Sequence, residues 1–235
     1  MSELSRAIND FLGARARRND SPHTLRNYEA DLRAFLDYFS PPGAAPPPVA
    51  DLDLLSLREW LAHLYSRNPK PATIRRKLAS LRAFFRFLAR DGRIERNPAL
   101  LLRLPKMPKA LPEVPGTDVT NALVDGVSRE DLERPFPARD RLLLELLYGC
   151  GLRISEAVGL NIEDFDSTER WLRVRGKGRK ERQVPYGSKA DEALRLYLEL
   201  LESKSEPRAL FLNCRGGRLS DRGARGIVKF YATHI

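Results

Sequence analysis

Residues 151–156 read Gly-Leu-Arg-Ile-Ser-Glu, and residues 175–182, about two dozen positions later, read Arg-Gly-Lys-Gly-Arg-Lys-Glu-Arg. The first stretch predicts a short helix with Arg153 at its start, and the second predicts a turn in which Lys177 lies between two glycines. An arginine and a mobile lysine are what an enzyme needs to clamp a phosphodiester and to protonate its leaving oxygen. Arg153 and Lys177 are therefore the predicted catalytic residues.

The chemistry of each residue type gives it a predicted role at a phosphate. Arg153 would donate two N–H bonds to nonbridging oxygens, and Lys177 would act as general acid on the leaving oxygen. Arg179 and Lys180 are predicted to contact backbone phosphates. Two alternatives stay open, because Arg153 could simply pair with Glu156 and Lys177 could be an ordinary exposed turn lysine. The turn is not a P-loop, since no Gly-Lys-Ser/Thr opens a helix there.

The sequence around these motifs predicts a domain of helices with one β-hairpin. Trp171 to Arg175 alternates in polarity, the glycine turn follows, and Gln183 to Pro185 returns as the second strand. An apolar helix ends at Tyr148, which is expected in the core, and Gly149 to Gly151 breaks it. Helices are predicted over residues 118–124, 138–148, 154–158, 189–201 and 223–234.

The first hundred residues are predicted to be helical. Residues 2–17 carry apolar side chains at helical spacing, and a second helix opens with Ser21 as N-cap and Pro22 at the first helical position. A third helix is expected over residues 56–65. The proline-rich stretch at residues 41–48 separates the second and third helices as a loop.

The fourth helix of this half combines an apolar face with a basic one. Its inward stripe consists of Ile74, Leu78, Leu81, Phe85 and Leu88. Its basic side chains are Arg75, Arg76, Arg82, Arg86 and Arg90. No acidic residue occurs between Lys70 and Arg90, whereas a solvated face normally mixes signs. The pattern predicts contact of Arg75, Arg76, Arg82 and Arg86 with a nucleic-acid groove; a basic surface without a partner is the alternative.

Charge is distributed unevenly along the 235 residues. Residues 1–110 hold 20 Lys and Arg against 11 Asp and Glu, whereas the remainder is nearly neutral, within a formal total of +10. A basic first half predicts docking on a polyanion, with generic solubility charge as the alternative. Two cysteines form neither a disulfide framework nor a metal quartet, which favours a reducing cytosol. No signal peptide and no apolar run of about 20 residues is visible, so no membrane partner is expected.

The prolines after residue 97 predict an extended, basic tether. The predicted organisation is a helical DNA-binding domain over residues 1–104, a proline-rich linker over 105–117 and a second domain over 118–235.

In its ordered motifs, the whole chain resembles Xer-type tyrosine site-specific recombinases, which are related to phage integrases. The resemblance rests on residues 21–28, 31–35, 73–78, 81–85, 147–156 and 176–182. It implies a mainly α chain with a small β-hairpin or sheet, in which an all-α SAM-like core-binding domain precedes an incomplete α/β catalytic domain. It also implies transesterification through a 3′-phosphotyrosine, without metal, nucleotide or other cofactor, on double-stranded DNA held by recombinase protomers that form tetramers on two synapsed sites.

The family pattern continues with a His-x-x-Arg pair, a further His or Trp, and a nucleophilic Tyr. These are expected beyond Ile235, so the resemblance implies a C-terminally truncated catalytic domain. The stretch from His23 to Arg26 has the same letters, but it opens a helix of the DNA-binding half and is assigned a packing role. Neither Tyr148 nor Tyr231 is expected to be the nucleophile.

The leading hypothesis is a cytoplasmic, nucleoid-associated tyrosine recombinase chain that binds DNA yet does not cleave it alone. The alternative is a non-catalytic DNA-binding protein that occupies recombination sites or regulates full-length recombinases. A third hypothesis is a basic regulator that binds DNA through the helical domain only.

Overall fold

The structure, a computed structural model, describes residues 1–106, 116–128, 132–176, 180–201 and 209–235. The chain divides into two compact units, Met1–Leu111 and Pro112–Ile235. Each unit has its own apolar core, and each is described by itself.

The described part of unit 1 is built from four α-helices, of which the first three have a side-chain N-cap. They are α1 (Glu3–Arg17), α2 (Pro22–Tyr38), α3 (Leu54–Ser66) and α4 (Pro71–Arg90). The Ser21 hydroxyl accepts the Thr24 N–H at 3.1 Å, which confirms the predicted cap of α2. Gly92 follows the C-cap residue of α4, and its φ of +72° is the left-handed conformation that glycine adopts without strain.

The apolar stripes of these helices form the core of unit 1. The predicted inward side chains of α4 are all buried, from Ile74 to Leu88. Phe11 of α1 packs edge-on against Phe84 of α4, with ring centroids 5.8 Å apart. Ring pairs of this kind add to the area burial that stabilises the unit.

Residues 98–102 differ from the predicted extended tether. Residues Pro98–Leu101 form a short 3₁₀ helix, which Leu102 follows. The side chains of Ala99 and Leu102 are buried in the unit 1 core. The Asn97 side chain accepts the Ala99 N–H at 3.0 Å and donates to the Arg82 carbonyl at 3.1 Å. The prolines therefore shape a packed turn before the predicted linker, of which residues 107–115 lie outside the described ranges.

Unit 2 combines helices with a three-stranded antiparallel sheet in the order β1-β2-β3. Its helices are α5 (Thr117–Asp125), α6 (Pro137–Gly149), α7 (Ile154–Val158), α8 (Ser188–Leu200) and α9 (Asp221–His234). Its strands are β1 (Phe165–Asp166), β2 (Trp171–Arg175) and β3 (Glu181–Pro185). Strands β2 and β3 are the predicted hairpin, whereas β1 was not predicted.

The register between β2 and β3 determines which side chains of the hairpin lie beside α7. Val174 faces Arg182 across the hairpin, and Arg175 faces Glu181. Leu172 and Val174 of β2 are buried, which turns the alternate arginines of that strand to the other face. Helix α7 contacts β2, so its first turn lies beside the hairpin.

Tyr148 is not in the core, contrary to the sequence expectation. It lies at the C-terminal end of α6 with 46% of its surface exposed. Leu142, Leu143, Leu144 and Leu146 are buried one turn earlier. Tyr148 instead lines an open apolar cleft together with side chains of α5 and α9.

Candidate functional site

Arg153 immediately precedes α7 and is anchored at its backbone. Its N–H donates to Glu156 Oε2 at 2.9 Å, and its Nη1 donates to Glu156 Oε1 at 3.0 Å. The ion pair considered from the sequence is therefore present. The Arg153 side chain is nevertheless 76% exposed, so most of its guanidinium faces solvent.

Glu156 is the buried centre of this arrangement, with only 4% of its side chain exposed. Arg182 of β3 donates two hydrogen bonds to the Glu156 carboxylate, from Nη1 to Oε1 at 2.8 Å and from Nη2 to Oε2 at 3.0 Å. The hydrogen bonds from Arg182, joined by those from the Arg153 backbone and side chain, lower the pKa of Glu156 to about 2. The carboxylate is thus ionised and fully occupied at neutral pH.

Arg182 was missed by the sequence reasoning, although it belongs to the quoted basic motif. Its partner is 26 residues away in the chain, and no helical or strand spacing connects the two. The alternation of buried and exposed side chains along the hairpin was the one feature of the sequence that could have pointed to Arg182. The hairpin register places Arg182 opposite buried Val174, so Arg182 lies on the sheet face that contacts Glu156 while its side chain stays 41% exposed.

The stem of the β2–β3 turn lies against the same carboxylate. The Gly176 N–H donates to the Lys180 carbonyl at 2.8 Å. A Cβ added at Gly176 would lie 3.4 Å from both Glu156 Oε1 and Arg182 Nη1, so the stem of the turn is in van der Waals reach of this ion pair. Lys180 is exposed. Lys177 and Arg179, the other predicted phosphate ligands of this turn, lie outside the described residues.

A second buried carboxylate orders the other face of β2. Asp164, 1% exposed, accepts from Arg175 Nη1 at 3.1 Å and Arg173 Nε at 3.4 Å. Its Oδ2 also accepts the Asn161 N–H at 2.9 Å. The outward arginines of the strand are therefore held by the fold, a role that the sequence pattern did not indicate.

The α4 arginines of unit 1 differ in their surroundings. Arg82 donates from Nε to the Ala99 carbonyl at 3.0 Å and from Nη2 to the Leu102 carbonyl at 2.6 Å. The observed role of Arg82 is thus intramolecular, unlike the predicted one, and its DNA contact stays a prediction.

Of the other three arginines of α4 that are predicted to contact DNA, two also make hydrogen bonds within unit 1. Arg76 binds buried Asp31, and Arg75 donates to the Pro105 carbonyl at 3.0 Å. Arg86 is exposed and has no carboxylate partner in the described part of the chain.

Tyr231 is enclosed in the core of unit 2 and is fully buried. Its hydroxyl donates to Asp140 Oδ2 at 3.3 Å, and Asp140 also accepts from Arg134 and Arg139. Burial, joined by the negative charge of Asp140, raises the pKa of Tyr231 to about 12. The enclosed and protonated hydroxyl agrees with the expectation that Tyr231 is no nucleophile.

His23 lies on the exposed first turn of α2, with its Nδ1 3.1 Å from Asn27 Nδ2. It belongs to unit 1, whereas Arg153 belongs to unit 2. Over the described ranges, no group of three or more His, Cys, Asp and Glu side chains is placed to hold a metal ion.

With this geometry in place, two family models match the chain. The Phage integrase family matches residues 117–234, and the Phage integrase N-terminal SAM-like domain matches residues 8–92. The tyrosine recombinase XerC of Oceanobacillus iheyensis is 39% identical over 97% of this chain and 75% of its own length. That of Pelotomaculum thermopropionicum is 41% identical over 97% of this chain and 78% of its own. The chain belongs to the phage integrase family of tyrosine recombinases.

Solved structures share the fold. A lambda integrase (75-356) dimer bound to a COC' core site superposes with a TM-score of 0.73 at 19% identity, over 99% of this chain and 82% of that one. A lambda integrase tetramer bound to a Holliday junction gives 0.73 at 18% identity, over 99% and 66%. The predicted fold class is confirmed: a mainly α chain with a small sheet, with a SAM-like domain before an integrase catalytic domain.

Proposed function

We propose that this chain binds duplex DNA at recombination sites and places Arg153 on a phosphate of the strand that the reaction exchanges. The observation that carries the proposal is the exposed Arg153 guanidinium. It is ion-paired with the Glu156 carboxylate, whose side chain is only 4% exposed. Relatives about 40% identical over nearly the whole chain are named as tyrosine recombinases.

The charges of this site favour an anion. Arg153 and Arg182 bring two positive charges to the single negative charge of Glu156. Because Glu156 holds Arg153 through one Nη atom and the backbone, the other guanidinium donors remain for nonbridging oxygens. Donors fixed in advance stabilise the charge that develops in phosphoryl transfer at little reorganisation cost.

The strand exchange typical of the family is a pair of transesterifications. A tyrosine oxygen bonds to phosphorus as the bond to the 5′-oxygen breaks, and that oxygen takes a proton. Lys177 is the proposed donor of this proton, with Arg179 and Lys180 on neighbouring phosphates. In the second step a 5′-hydroxyl displaces the tyrosine, so the bond energy is conserved and no cofactor is required.

The residues of this chain support the binding part of that cycle and not its nucleophilic step. No His-x-x-Arg follows Arg153 in the 235 residues. Tyr231 is buried and bonded to Asp140. We therefore expect a polypeptide of these residues to bind DNA without cleaving it.

Partners and location complete the proposal. Integrases of similar fold have been solved as a dimer and a tetramer on DNA, and we assign the same kind of partner, homologous recombinase protomers, to this chain. No described helix is long and apolar enough to cross a membrane. Cys150 and Cys214 are both free thiols, which supports a reducing cytosol. We assign the chain to the nucleoid because the proposed ligand is DNA.

A gel-shift assay combined with a nicked suicide substrate tests both parts of the proposal. The substrate releases the strand end after cleavage, so any phosphotyrosine accumulates as a covalent adduct. We expect a salt-sensitive complex that dissociates in detergent. An adduct that survives denaturation would contradict the absence of cleavage, and failure to bind any duplex at low salt would contradict the proposed function itself.

A further inference from the structure

The described arginines of unit 1 are not equally available to a ligand. Arg82 gives its guanidinium to two carbonyls, and Arg76 gives its own to Asp31. Arg86 and Arg90, in the C-terminal half of α4, are exposed and have no carboxylate partner among the described side chains. Arg86 and Arg90 are thus the α4 arginines that make no hydrogen bond or ion pair among the described residues, and both lie in the C-terminal half of the helix.

A cleft of about 140 Å³ lies beside them, between the C-terminal ends of α1 and α4. Arg15 and Arg18 line its α1 side, and Arg86 and Arg90 line its α4 side. The rest of the lining is alanine and phenylalanine, and no carboxylate lines it. Small side chains at Ala14 and Ala83 leave room for a phosphate group between the arginines.

The four arginines have different roles. Arg15 is fixed, because its Nε lies 2.6 Å from Asp20 Oδ2 and its guanidinium lies 5.3 Å from the centre of the Tyr28 ring. Arg90 lies in the last turn of α4, where a cation offsets the helix dipole. Arg86 lies one turn earlier and Arg18 just beyond α1, and neither has an acidic partner in the described ranges.

We infer that this α1–α4 cleft binds one phosphate of the DNA backbone between Arg18 and Arg86. The inference rests on the proposed function and extends the DNA contact from α4 to the C-terminal end of α1, which no sequence pattern indicated. Guanidinium groups facing one cleft from two sides match the several acceptor oxygens of a phosphodiester. Arg15, held by Asp20 and Tyr28, forms the fixed wall.

Equilibrium binding of the full chain to a fluorescent mixed-sequence duplex tests the inference. Wild type is compared with Arg18→Ala, Arg86→Ala and the double variant, with Arg58→Ala as control. Arg58 is an exposed arginine of α3 in the same unit and also lacks a carboxylate partner within the described ranges. Thermal unfolding of each variant verifies that the fold is intact, and unchanged midpoints are expected because these side chains are exposed.

Each single cleft variant should show a salt slope shallower than that of wild type by about 0.9, the value for one phosphate. Between 50 and 200 mM salt, wild-type affinity should then fall about 3- to 4-fold more than that of the variant. The double variant should match the singles, since both arginines hold the same phosphate. Arg58→Ala should keep the wild-type slope.

Two results would overturn the inference, and they are distinguishable. If wild type binds DNA and both cleft variants keep the slope of Arg58→Ala, the cleft holds no phosphate while the proposed function stands. If wild type binds no duplex at all, the proposed function fails and this inference fails with it.

Discussion

Glu156 is the residue around which the unit 2 site is built. Arg153 holds it from the start of α7 and Arg182 holds it from β3, so one buried carboxylate fixes a helix start to a hairpin. Removing the carboxylate charge would leave two arginines without their shared partner. Both arginines are partly exposed, 76% and 41%, so water would screen part of the loss.

We expect Glu156→Gln to lower the free energy of unfolding at pH 7 by about 1.5–3 kcal/mol, the range for hydrogen bonds to charged groups. The pKa of Glu156 in the folded chain, about 2, lies below its ordinary value of 4.5. Its contribution is therefore complete above that ordinary value and is lost as pH falls toward the folded one. Urea unfolding at about pH 7 and pH 3 should show the gap between wild type and variant shrinking with acid. A gap that stays constant would show that the charge of Glu156 is not what stabilises the pair.

Helix α4 shows which structural elements the sequence could predict. Its apolar stripe, its glycine stop and its length follow from local spacing, and the same is true of α1, α2 and the β2–β3 hairpin. The carbonyl partners of Arg82 and the two-residue strand β1 depend on segments that meet only in the folded chain. Tyr148 was misassigned because periodicity does not reveal where neighbouring elements stop covering a helix.

The same distinction applies to the candidate site. Arg153 and the pairing with Glu156 follow from the helix-start motif, because three residues separate them along the chain. Arg182, 26 residues from Glu156, does not follow from any local pattern.

Arg82 and Arg86 provide a matched comparison on one helix. Arg82→Ala removes two hydrogen bonds that hold residues 98–102, and we expect a loss of about 1–3 kcal/mol of unfolding free energy. Arg86→Ala removes an exposed side chain and should stay within about 0.5 kcal/mol of wild type. Denaturant unfolding monitored by circular dichroism measures both. Equal midpoints for the two variants would mean that the carbonyl contacts of Arg82 contribute no stability.

The whole molecule joins a basic unit to a nearly neutral one, and both carry arginines that the fold leaves exposed. If the chain contacts about 6–10 phosphates, the logarithm of its affinity should fall with a slope of about −5 to −9 against the logarithm of salt concentration. A shallow dependence of affinity on salt concentration would show that the chain contacts only a few phosphates. A footprint produced by residues 1–110 alone, equal to that of the full chain, would favour the third hypothesis, in which the helical domain acts by itself.

The affinity of wild type and Arg153→Ala for one duplex, measured across a salt series, tests the central claim most directly. The claim is that the Arg153 guanidinium binds a DNA phosphate from its Glu156 anchor. It predicts a weaker complex for the variant, with a slope shallower by about 0.9, and an unfolding midpoint close to that of wild type. An Arg153→Ala chain that is equally stable and binds DNA with wild-type affinity and slope would contradict it.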